Sequence, residues 1–216
     1  MSPAGRTVNG VTGDQRDVPA PFAAALDSLR ARRLRPEVRL AEIPGPSRIA
    51  PFSVALEGEV LAGRATRAGP ETTAEEDDEV ATGRFVVLHD PDGQETWRGT
   101  FRVVTLVRAT LEPELAADPL LADVAWSWVT ECLEAAGVSA VAAGGTVTRV
   151  LSQSFGALSG TPDAVDLEIR ASWTPTDTDL GAHLAVWADL MAMAGGLPPL
   201  PDGVTALPSR RNTVGP

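Results

Sequence analysis

From Glu79 to Pro113 apolar and polar side chains alternate on both sides of Asp90-Pro91-Asp92-Gly93. A period of two sends successive side chains to opposite faces of a strand, and Asp-Pro-Asp-Gly supplies the local bonds and positive φ of a turn. The pattern predicts a long antiparallel hairpin with arms Arg84 to His89 and Glu95 to Thr110. On the second arm Trp97, Phe101, Val103 and Val107 share one face. Arg98, Thr100, Arg102 and Arg108 share the other with Val104 and Leu106. That outer face is half apolar, so a helix or a second subunit is expected over its far end.

Upstream, Phe22, Ala25, Leu26, Leu29 and Leu34 form one helical stripe that Pro36 stops. Val38, Leu40 and Ile43 suggest a short strand closed by Pro44-Gly45-Pro46. In Phe52 to Leu61 a strand sets Val54, Leu56 and Val60 against Glu57 and Glu59. Downstream, Pro119 begins a helix reaching about Ala136, with Gly137 as its cap. Its stripes, Leu121, Val124, Trp128, Cys132 and Trp126, Val129, Leu133, cover so much circumference that it is expected between layers or in an interface.

Thr146 to Phe155 and Val165 to Trp173 read as strands, the latter with Leu167, Ile169, Ala171 and Trp173 inward. Leu180, Leu184, Trp187 and Met191 mark a last helix ended by Gly195-Gly196. The order α-β(3-4)-α-β(2)-α predicts an α+β fold, an antiparallel sheet of five or six strands packed by three helices. It resembles secretion-chaperone-like α+β folds, a likeness that assigns no function. One domain is expected over 20–197. Around it lie a disordered tail (1–19), an acidic loop (69–79) and an extended Pro-rich tail (198–216).

Composition narrows the function classes. The 216 residues suffice for one core, and the apolar content of 44% is that of a soluble globular protein. No apolar signal-peptide core or membrane-length run is visible. A single cysteine, Cys132, fits a reducing cytosol. Lysine is absent, which excludes a Schiff-base lysine and the phosphate-contacting lysine of a P-loop. The net charge of −11 is uneven: residues 110–209 hold thirteen acids against Arg149 and Arg170. Such a body repels a phosphate backbone, so direct nucleic-acid binding is not expected. The basic exception, Arg30, Arg32, Arg33, Arg35 and Arg39, is expected to be solvated or paired with acids.

Candidate chemistry is sparse. His89-Asp90-Pro91-Asp92-Gly93 fails the calcium-loop pattern and reads as a turn, so no metal or other cofactor is expected. His183 follows Asp179 by one helical turn, an arrangement that serves a base and its orienter but lacks a nucleophile. Cys132, on an apolar stripe, behaves as a small hydrophobe. Trp126 and Trp128 cannot point the same way on a helix, so one of them is expected at a groove or partner.

The blocks RPEVRLAEIPGPSRIAPFSVAL, ATGRFVVLHDPDGQETWRGTFRVVTLVRA, GGTVTRVLSQSFG, LEIRASWTP and LGAHLAVWADLMAMAGGLPPLP resemble an uncharacterised actinobacterial family, the domain of unknown function numbered three thousand. The resemblance spans residues 20–201. It implies a cytoplasmic bacterial protein and carries no assigned activity, cofactor or catalytic residue. It also associates such chains with a neighbouring gene for a ribonuclease-D-type exonuclease. The leading expectation is a non-enzymatic interaction or chaperone-like module, with a protein partner or a homodimer and no membrane. Its expected surface comprises Arg98, Arg102, Trp126, His89 and His183. The alternative is an enzyme or small-anion binder using the Arg and His residues of the sheet face, and the third is an adaptor in RNA metabolism.

Overall fold

The computed structural model describes residues 18–62, 78–111, 118–160 and 163–199. The expected tail 1–19, loop 69–79 and tail 198–216 fall outside these residues, apart from Val18 and Pro19, Asp78 and Glu79, and Pro198 and Pro199.

Helix α1 spans Ala20–Ala31 and buries Phe22, Ala25, Leu26 and Leu29. It stops short of Leu34 because the chain turns extended at Arg32 (φ −71°, ψ 127°). Beyond it Arg35 folds inward, and its Nε donates to Glu37 at 3.1 Å. Strands β1 (Val38–Ile43), β2 (Phe52–Ala62), β3 (Asp78–Gln94) and β4 (Gly99–Leu111) then form a meander. Helix α2 (Leu121–Ala135) leads to β5 (Ala140–Ser152), a 3-10 turn (Gly156–Leu158), β6 (Ala164–Pro175) and helix α3 (Leu180–Ala194). The sheet order is β1-β2-β3-β4-β6-β5, and every neighbouring pair is antiparallel. This is the expected α+β class, with six strands among the described residues.

The hairpin forms, but its turn is not at Asp90-Pro91-Asp92-Gly93. Pairing passes from His89 with Phe101 to Gln94 with Gly99, so Asp90 to Gly93 oppose Thr100 alone. The turn chemistry is spent on a bulge: the Asp92 amide donates to the Asp90 carboxylate at 3.2 Å, and Gly93 sits at φ 75°. The chain reverses at Glu95 to Arg98, where the amides of Trp97 and Arg98 each donate to the Gln94 carbonyl at 3.0 Å. Arg98 takes the left-handed conformation there (φ 60°). Strand β5 begins at Ala140 rather than Thr146, with an irregularity at Ala142 and Ala143 before Gly144 and Gly145 pair with Ser172 and Ala171.

Alternation builds two unlike faces. The inner one carries the rows Val54–Val87–Val103–Trp173, Leu56–Phe85–Thr105–Ala171 and Gly58–Gly83–Val107–Ile169. The helices pack against it: Phe22 of α1 lies 5.8 Å from Phe52, and Trp187 of α3 lies 5.6 Å from Phe85. Twelve of the fifteen α3 residues are buried, so α3 forms the centre of the core rather than an amphipathic cover. It fits because Gly58 and Gly83 leave a socket for the Trp187 ring. A Cβ at Gly58 would stand 2.5 Å from that ring, and one at Gly83 2.9 Å. In α2, Leu121, Ala125, Val129, Cys132 and Leu133 are buried, while Trp126 and Trp128 are half-buried against the core.

Candidate functional site

The outer face carries the rows Ala55–Val86–Val104–Ser172 and Glu57–Arg84–Leu106–Arg170. At one corner the 44–50 segment covers it: Ser53 Oγ donates to the Pro46 carbonyl at 3.0 Å, and Ser53 and Leu88 are buried. Towards β5 the face opens into a shallow concavity of about 450 Å³. Val86, Val104 and Leu106 supply its aliphatic floor; Arg84, Arg102 and Arg170 stand around it, and Gly144 and Gly145 leave the far side low. No acid lines it among the described residues.

The three guanidinium groups differ. Arg102 Nη1 donates to the Ala142 carbonyl at 2.9 Å and to Thr174 Oγ1 at 3.1 Å, and its Nη2 donates to Ser172 Oγ at 2.7 Å. These acceptors are neutral, so the charge has no described counter-ion, and burial lowers the group's pKa from its ordinary value. Of the five N–H groups of a guanidinium, Nε–H and one on Nη2 keep no described partner. The Ala142 carbonyl points at Arg102 from a left-handed residue (φ 52°), so the arginine ties the β5 irregularity to β4.

Arg170 donates to Glu168 Oε1 at 2.6 Å, while Arg108 donates to Oε2 of the same carboxylate at 2.7 Å. The two hydrogen-bonded cations hold Glu168 below its ordinary pKa, Arg108 contributing most. One carboxylate facing two guanidinium groups leaves a positive remainder. Arg84 reaches Glu57 at 3.9 Å with both side chains about half exposed, a pairing of little strength.

Of the residues expected on the surface from sequence, only Arg102 lines the concavity. Arg98 lies exposed at the hairpin tip. Trp126 sits on the helix side, beneath Gly145, where a Cβ would stand 2.7 Å from its ring. The histidines are core residues. His89 is 2% exposed and stacks with Phe101 at 4.2 Å and Phe22 at 5.7 Å. Its Nδ1–H donates to the Thr100 carbonyl at 3.0 Å, which leaves Nε2 as a bare lone pair with no described partner. Burial holds its pKa below the ordinary value, against the opposing pull of that carbonyl and Asp90.

His183 is fully buried and accepts the indole N–H of Trp173 at Nδ1, 3.0 Å away. Burial also lowers its pKa, and the nearby Asp177 and Asp179 only oppose the shift. Asp179 is no orienter: its carboxylate caps α3 by accepting from the Ala182 amide at 3.3 Å. Cys132 is buried and its thiol is pushed up to about 12, first by burial and then by Asp189 and Glu131. The described residues contain no cluster of three or more His, Cys, Asp or Glu suited to a metal ion.

Arg84, Val86 and Arg170 do not stand out from sequence as site residues, and Gly144-Gly145 reads there as a turn rather than a phosphate loop. They come from three other strands, and only the register Arg84–Leu106–Arg170 gathers them.

A family model described as "Protein of unknown function (DUF3000)" matches residues 18–205. The chain belongs to the DUF3000 family. No curated protein and no solved structure matches it. The DUF3000 match takes in every described element, α1 to α3, and with them the whole concavity. None of the helices among the described residues is long and apolar enough to cross a membrane.

Proposed function

We propose that this DUF3000 protein is a non-enzymatic protein-interaction module that presents the outer face of its sheet to a partner. The observation that carries the reading is the one-sided cover among the described residues: three helices pack on the inner face, while the outer one keeps an aliphatic floor ringed by arginine. A preformed apolar patch with convergent polar groups is the usual form of a binding surface. The titratable groups fit this reading, since both histidines and Cys132 are buried away from that floor. The lone buried thiol accords with a reducing cytoplasm, the compartment we assign.

Val104 is 38% exposed at the centre of the floor, so Val104→Asp should leave the fold intact and block the surface. Size-exclusion chromatography with light scattering, and affinity capture with wild type and Val104→Asp side by side, test the proposal. The expected result is a partner or second copy held by wild type and lost by the variant. A wild-type chain that stays monomeric and holds nothing overturns it, as does a partner held equally by both.

A further inference from the structure

The concavity has a charge that its surroundings lack. In a chain of net charge −11, its described lining contains three guanidinium groups and no carboxylate. Two of them, Arg84 and Arg170, flank Leu106 in one row across β3, β4 and β6. Strands lie about 4.8 Å apart, so the Cα atoms of the two arginines stand roughly 10 Å apart with an aliphatic side chain between them. Neither is fully neutralised: the Glu57 contact is long and exposed, and Glu168, 2.6 Å from Arg170, is shared with Arg108. Four residues along β4, Arg102 adds a third charge with two uncommitted N–H groups.

We infer that the concavity binds an extended acidic peptide segment of the partner, one apolar side chain seated on Val104 and Leu106 between two carboxylates that meet Arg84 and Arg170. This rests on the interaction reading above and names the chemistry of the partner. The shape selects a peptide over a small molecule: the floor is open and shallow, whereas small-ligand clefts enclose most of their ligand. In an extended segment, residues i, i+2 and i+4 lie on one side, and i to i+4 spans about 13 Å. Acid–x–apolar–x–acid therefore matches the row once the long arginine side chains splay slightly outward. Arginine also suits carboxylate recognition, since its fork of N–H groups matches the two oxygens.

The test uses the whole chain labelled with nitrogen-15 and the peptide acetyl-Gly-Glu-Ser-Leu-Ser-Glu-Gly-amide. Controls are its Gln-for-Glu and Lys-for-Glu forms and a single-stranded RNA oligomer. The Glu peptide should shift the amides of Val104, Leu106, Gly144 and Gly145 and bind at least about tenfold more tightly than the Gln form, the scale set by charge-assisted bonds. Arg84 and Arg170 side chains are 54% and 63% exposed, so the double variant Arg84→Glu/Arg170→Glu should fold and should prefer the Lys peptide. Arg102 is left in place because it holds β5.

Equal binding of the Glu and Gln peptides overturns the inference. So do shifts confined to the Arg30 to Arg39 region, or stronger shifts of the same amides by RNA. If a partner is captured through Val104 while the Glu peptide shows no preference, the acidic-peptide inference fails and the interaction module stands.

Discussion

Trp187 shows how single residues set the layer spacing. Its ring lies over Gly58 and Gly83, its Nε1–H donates to the Leu106 carbonyl at 3.1 Å, and it is fully buried. A methyl at Gly83 would meet the ring, the Met191 sulfur and the Leu106 carbonyl together, so it would push α3 off the sheet. Gly83→Ala is expected to cost about 1–3 kcal/mol, the usual price of overpacking, read from the urea midpoint at unchanged slope. An unchanged midpoint would mean that the socket yields freely. The sequence placed Trp187 on the apolar stripe of the last helix. It did not reveal the socket, because a glycine in a strand announces nothing about the ring that will lie over it. The same holds for His89: its turn-forming neighbours argue against a metal, yet its burial depends on Phe22 arriving from α1.

Among the elements, strands with clean alternation were the most legible. In β6, Leu167, Ile169, Ala171 and Trp173 are all buried as read, and Val54 and Val60 likewise in β2. The two departures have one origin. Asp-Pro-Asp-Gly and Gly-Gly are turn signals, and here the first forms a bulge inside β3 while the second pairs within β5 beside a second irregularity at Ala142 and Ala143, because neighbouring strands supply pairing that overrides the local preference for reversal. At the second irregularity a side chain from β4 does the holding. Arg102→Leu would remove the donors to Ala142, Ser172 and Thr174, and local opening of β5 should become easier by about 1–3 kcal/mol. Hydrogen exchange at Val141 to Gly144 should then speed roughly tenfold or more, while β2 and β3 keep their wild-type rates. Exchange unchanged at those amides would show that backbone pairing alone holds the strand.

At the scale of the whole molecule, stability should follow the buried histidines near neutral pH. Both have folded pKa values below their ordinary 6.5 because burial disfavours the imidazolium. The unfolded chain therefore binds more protons than the folded one once pH falls below about 6.5, and stability must drop with it. Stability is full above that value. It declines towards acid at up to about 1.4 kcal/mol per pH unit for each histidine that the unfolded state protonates. Melting temperatures should be level from about pH 7 to 8 and fall from about pH 6.5 to 5, with a shallower fall in His89→Leu. A flat profile in wild type would contradict the burial of both rings. Fold class and element order were legible across this scale because hydrophobic period is local. The arginine-ringed concavity was not, because it exists only once β3, β4, β6 and β5 are in register.

The glycine sockets make the sheet thin in a way that a spectrometer can use. Tyrosine is absent, so near-ultraviolet emission comes from the five tryptophans alone. Two of these indoles lie immediately behind the concavity, Trp187 bonded to the backbone of Leu106 and Trp126 against Gly145, with one layer of main chain between them and whatever sits in front. The protein thus carries its own fluorophores on the dry side of its wet face. Occupancy of the outer surface can be followed as a change in indole emission without attaching a dye to the surface under study.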